Sequence, residues 1–191
     1  MPYTYGTPEW EEAYNKLTQE RSANEPKPWL VFLPEWVKAW ETKMQNDAKY
    51  KELALPNWEN PIVIHVLKNP ALGIEYDIYV KMDLWHNGEC KSIKYIPPSE
   101  AGKPGEFVIT ATTERWFAVC RKQLDVVKGM MQGKLKLKGD LPTVVKAVKA
   151  AVRIVETVGE TGGKYEDELN PEEIEKLKTT IETLFTELSL K

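Results

Sequence analysis

The stretch MMQGKLKLKGDLPTVV, residues 130–145, sets three lysines in alternation with two leucines between Gly133 and Gly139. A phosphate loop needs G-x-x-x-x-G-K-[ST], because the hydroxyl coordinates magnesium and the loop must wrap the phosphates. Here Gly129 and Gly133 stand one residue too close, and Lys134 is followed by Leu135 in place of the hydroxyl. A nucleic-acid platform interleaves aromatic with basic side chains on its exposed face, and no aromatic residue occurs in this stretch. What fits is a period of two. Lys134, Lys136 and Lys138 share the wet face of a short strand, Leu135 and Leu137 its apolar face. Lysines so placed protect a sheet edge. Asp140 or Thr143 then caps a helix with proline in its first turn.

Working outward, that helix runs from about Pro142 to Val158, with Val144, Val145, Val148, Ala151, Val152 and Val155 on one apolar face. GETGGKYEDELN, residues 159–170, reads as a flexible connection. Asn170-Pro171-Glu172-Glu173 starts a last helix with a capping box, whose stripe of Ile174, Leu177, Ile181, Leu184 and Leu188 could pack, plug an opening or dimerise. Upstream, Thr113-Glu114-Arg115 opens a helix carrying Trp116, Phe117 and Val119, and a short one follows over Val126 to Met131. Before these the period is two. IVIHVLK (62–68), Ile74 to Leu84, Glu89 to Ile96 and EFVITATT (106–113) read as strands. Asn87-Gly88 supplies a hairpin turn, since both residues tolerate positive φ. The first sixty residues read as helices: Thr7-Pro8-Glu9 starts one that NEPKP (24–28) ends, and Pro34 starts another with Trp36, Trp40 and Met44 at i, i+4, i+8. The sum is an α+β protein.

Composition narrows the function classes. At 191 residues the chain fits one domain with additions. Hydrophobic residues at 42% and charged residues at 29% describe an ordinary globular protein. A net charge of −3 argues against a protein that coats nucleic acid. No apolar run is long enough to span a bilayer, and the N-terminal residues lack the pattern of a secretion signal. Cys90 and Cys120, without CxxC spacing, read as reduced thiols of a cytoplasmic protein. The only histidines, His65 and His86, stand in no metal-ligand pattern. The serines stand in no nucleophile elbow. No catalytic residue, metal site or cofactor is read from the sequence.

Several spaced segments resemble one family, the type-2 sterol carrier proteins. MMQGKLKLKGDLPTVVKAV is similar to the stretch that enters that family's last strand and covering helix. TTERWFAVCRKQLDVVKGMMQGK and LPEWVKAWETKMQNDAKYKELALPNWENPIVI resemble its preceding segments, the latter as in single-domain prokaryotic members. The likeness runs from Pro34 to Val158, leaving 1–33 as an N-terminal helical extension and 159–191 as a linker and amphipathic helix packed on the domain. The resemblance implies a mainly antiparallel five-stranded sheet, with helices on one side and an apolar tunnel between. It implies non-enzymatic binding and transfer of a fatty acid, acyl-CoA or other lipid, with no cofactor, in a monomer or homodimer that touches a membrane or enzyme transiently. Carried onto this chain, the lining is Trp36, Trp40, Ile78, Val80, Met82, Trp116, Phe117, Met130 and Met131, with Val145, Val148 and Val152 closing the other wall. At roughly 0.8 kcal/mol per methylene a chain of about sixteen carbons offers on the order of 12 kcal/mol gross, of which association costs several. The alternatives are an accessory domain that presents an apolar substrate to an enzyme, or an enzyme that uses the same cavity through His65, His86 or Cys120.

Overall fold

The computed structural model describes residues 2–191. Five strands form one sheet in the order β3-β2-β1-β4-β5: β1 (Ile62–Val66), β2 (Ile78–Leu84), β3 (Cys90–Tyr95), β4 (Phe107–Ala111) and β5 (Lys136–Lys138). All neighbours are antiparallel except β1 and β4. Register decides which side chains share a face. Ile62 stands between Met82 and Phe107, and Ile64 between Val80 and Ile109. Leu137 faces Ile109. Alternation along each strand therefore gathers the isoleucines, Val80, Met82 and Phe107 on one side. Val63, His65, Thr110, Lys136 and Lys138 take the other.

The apolar side is covered by helices. Thr7 caps α1 (Pro8–Asn24) by accepting from the Trp10 N–H at 3.2 Å. Proline also opens α2 (Pro34–Gln45), and Asp47 caps α3 (Ala48–Leu53) through the Tyr50 N–H at 2.6 Å. Thr112 caps α4 (Thr113–Cys120) and Asp125 caps α5 (Val126–Met131). The segment read as one helix from Pro142 is two. Asp140 caps α6 (Leu141–Lys146), Ala147 leaves helical geometry with ψ 19°, and α7 (Val148–Thr161) starts afresh.

Asn170 and Glu173 form the expected capping box at the start of α8 (Pro171–Glu187). This helix packs on its own chain. Leu177, Ile181, Leu184 and Phe185 are buried, the last stacked on Tyr76 at 5.7 Å. Its end holds the N-terminus: Trp10 Nε1 donates to the Leu188 carbonyl at 2.7 Å, and the Tyr3 N–H to the Glu187 carbonyl at 2.9 Å.

Two local expectations are corrected. β2 begins at Ile78, not Ile74, because Asp77 turns the chain aside, accepting from the Lys68 N–H and touching His65, each at 2.8 Å. The connection after α7 is ordered. Lys164 exchanges backbone hydrogen bonds with Trp29 and Val31, at 2.8 and 2.9 Å, and Glu166 is buried. The Asn87-Gly88 turn is as read, with φ of 56° and 73°.

Candidate functional site

Between the sheet and its helical cover lies an apolar cavity of about 100 Å³. Its floor is Ile62, Ile64, Met82, Leu84, Phe107 and Ile109, the residues that the register sets on one face. Its roof is the α6–α7 segment. Ala147, Ala150 and Ala151 line it together with Val144, Ile154 and Val155. Three alanines beside large floor residues explain the space: a methyl stands back from the sheet where a leucine would reach it. Trp40, Trp58 and Trp116 form part of the side walls. Each indole N–H is engaged inside the protein, by Thr157 Oγ1 at 3.0 Å, the Asn60 carbonyl at 2.6 Å and the His65 carbonyl at 3.0 Å. The rings thus present apolar surface, with no dangling donor, to whatever enters.

A cavity of roughly 150 Å³ lined by aliphatic and aromatic side chains stays dry and accepts a benzene ring. A longer guest would need wall side chains to turn aside. Met82 and Met130, unbranched with three rotatable bonds, are suited to that. Cys120 also lines the cavity, but burial pushes its thiol up to about 12, far from the thiolate a nucleophile needs. Phe32 closes part of the wall from an unusual backbone. Its φ is +72°, in a turn where the Leu33 N–H bonds the Leu30 carbonyl at 3.2 Å. That is the third position of a type II turn, where glycine is favoured.

The roof is held by ion pairs. Arg153 of α7 meets Asp47, the cap of α3, through Nη2 to Oδ2 at 2.5 Å and Nε to Oδ1 at 3.0 Å. Glu156 and Glu160 take further guanidinium hydrogens at 2.8–3.0 Å. Arg153 holds the Asp47 carboxyl well below the usual carboxylate range, and with Lys43 it brings Glu160 down to about 2.

Comparison with known proteins fits this geometry. The model of the SCP-2 sterol transfer family matches residues 39–151, more than half of the chain. The chain belongs to that family. Among solved structures it is similar to a crystal structure of sterol carrier protein 2, at 28% identity and TM-score 0.60, over 68% of this chain and 98% of that one. It is also similar to a conserved hypothetical protein of Thermus thermophilus, possibly a sterol carrier protein, at 26% identity and TM-score 0.62, over 73% of this chain and 94% of that one. No curated protein sequence matches it. Within the SCP-2 match lie the sheet and the helices from α3 to α6; α1, Phe32 and α8 lie outside it.

The structure separates the lining carried over from the SCP-2 resemblance into three groups. Trp40, Met82, Trp116 and Met130 line the cavity. Trp36, Ile78, Val80 and Phe117 are buried beyond its walls: Trp36 donates to the Gly162 carbonyl at 2.6 Å, and Phe117 packs edge-on to Tyr165 at 5.3 Å. Met131, Val145, Val148 and Val152 are exposed, by 64, 42, 37 and 39%. Closure of a wall by these valines is therefore corrected. The break at Ala147 and the 3–4 spacing turn Ala147, Ala151, Ile154 and Val158 inward, so the neighbouring stripe looks out.

The sequence reading missed Phe32, Tyr50, Trp58 and the alanines of the roof. The alanines did leave a signal, since their 3–4 spacing marks a recessed helix face. His65 sits on the opposite side of the sheet from the cavity, between Thr110 Oγ1 at 2.9 Å and Asp77 Oδ2 at 2.8 Å. His86 is at the surface beside Glu59 at 2.8 Å. Neither histidine faces the cavity. Among the described residues no cluster could hold a metal, and no helix is long and apolar enough to cross a membrane.

Proposed function

We propose that this chain binds the apolar part of a lipid between α7 and the sheet, and carries it without chemical change. The observation behind the reading is the wall itself: aliphatic and aromatic side chains throughout, indole N–H groups already engaged, and a small-residue roof that leaves the floor uncovered. Membership of the SCP-2 family supports it, and the sterol carrier protein 2 to which the chain is similar bears that function in its name. A fatty acid or acyl chain suits the lining, because such a wall offers contact without hydrogen bonds and leaves the polar head outside. Turnover is disfavoured: the thiol in the wall is held protonated, and both histidines lie elsewhere. Two buried cysteines without a disulfide suit a cytoplasmic setting. Titration of delipidated protein with a fluorescent fatty-acid analogue is expected to saturate in the micromolar range, about −8 kcal/mol. Absence of saturable binding up to tens of micromolar would remove the proposal.

A further inference from the structure

Among the described residues the exposed large apolar side chains are Met131, Val145, Val148 and Val152, and all four lie on α5, α6 and α7. They adjoin the cavity wall. Met131 follows Met130, and Val145 and Val148 flank Val144 and Ala147, three residues of the lining. Lysines are interleaved with them at helical spacing. Lys128 precedes Met131 by three positions on α5, Lys149 precedes Val152 by three on α7, and Lys146 ends α6 next to Val145. Helices α5, α6 and α7 as far as Val152 carry Lys128, Lys146 and Lys149 and no acidic residue, in a chain whose total charge is −3. Asp140, just before α6, is occupied in capping that helix. Elsewhere lysines such as Lys38, Lys81, Lys94 and Lys164 lie against carboxylates. Among the described residues none of Lys128, Lys146 and Lys149 forms an ion pair.

An apolar stripe ringed by unpaired cations is complementary to one kind of surface, negative at the level of the lysines and hydrocarbon just beneath. A second copy of the same face would set lysines against lysines. We propose that the α5–α7 face docks on an anionic lipid bilayer, Met131 and the three valines entering the interface and the lysines meeting phosphate headgroups. The proposal builds on the lipid-carrier reading, and would bring the roof of the cavity to the membrane from which a lipid enters.

The test is co-sedimentation of the full chain with phosphatidylcholine vesicles, with or without phosphatidylserine. The protein is expected to pellet with the anionic vesicles only, and to be released in high salt. Lys146→Gln with Lys149→Gln should weaken vesicle binding about twenty-five-fold, from roughly fivefold for each lysine near the surface. Met131→Ser with Val148→Ser should weaken it by a similar factor. Lys16→Gln on α1, outside the face, should change nothing. Every substituted side chain is exposed, so melting temperatures should stay at the wild-type value. Four outcomes would overturn the proposal: no pelleting with anionic vesicles, equal pelleting with both kinds, equal loss in Lys16→Gln, or a dimer in light scattering that Met131→Ser dissolves. The same variants titrated with the soluble fatty-acid analogue should bind it as the wild type does. Failure of the wild type in that titration would sink the carrier reading alone, since vesicle binding is read separately.

Discussion

Glu166 lies in the turn after α7 with both carboxylate oxygens buried and without a hydrogen-bond partner. Burial, helped by the charges of Asp167 and Glu168, pushes its pKa up to about 8. The native state therefore keeps the proton through a range in which the unfolded chain releases it. The resulting stability is complete below about pH 4.5, the ordinary glutamate value, and is lost as pH rises toward 8. A single such proton gives a slope of about 1.4 kcal/mol per pH unit. Glu166→Gln, neutral at every pH, should flatten the fall in stability between pH 5 and 8. Urea unfolding across that range checks it, and an unchanged slope would show that other groups cause the fall. No sequence signal pointed to this residue: residues 159–170 read as a flexible connection, whereas Lys164, two positions before it, bridges to Leu30.

At the level of elements, α7 makes the cavity by what it lacks. Ala150 and Ala151 occupy roof positions where a larger side chain would reach the floor. Ala151→Phe should fill the space, lowering affinity for the fatty-acid analogue at least tenfold, whereas Val152→Phe, one position round on the exposed stripe, should leave it unchanged. Titration of the two variants distinguishes an internal site from surface adsorption, and equal losses would place binding outside the cavity. The helix itself was legible from its valines, but its orientation was not. Val144, Val145, Val148, Ala151, Val152 and Val155 make a face broader than any one neighbour can cover, and hydropathy does not say which half turns inward. The decision comes from Arg153. Anchored to Asp47 at the head of α3, it fixes the rotation of α7, and no local pattern announces a partner 106 residues away.

For the whole molecule, the strands and caps were readable because period two and capping side chains are local. The role of the ends was not readable, since it depends on contacts between residues far apart in sequence. Trp10 is fully buried yet bonded to a carbonyl 178 positions on, and Phe185 packs against Tyr76 and Tyr95. These segments lie outside the SCP-2 match, and packing alone tests whether they are appendages. Fully burying a leucine, isoleucine or phenylalanine is worth about 1.5–3 kcal/mol. Leu177, Ile181, Leu184, Phe185 and Leu188 together amount to about 10 kcal/mol gross, comparable to the roughly 5–15 kcal/mol by which whole domains are stable. A chain ended after Tyr165 should therefore lose its cooperative thermal transition and its near-ultraviolet circular dichroism, because Trp10 and Tyr95 would lose their cover. A truncated chain that melts at the temperature of the full one would instead make α8 an accessory free to leave the fold. That result would reopen the stripe of α8 as a surface for a partner.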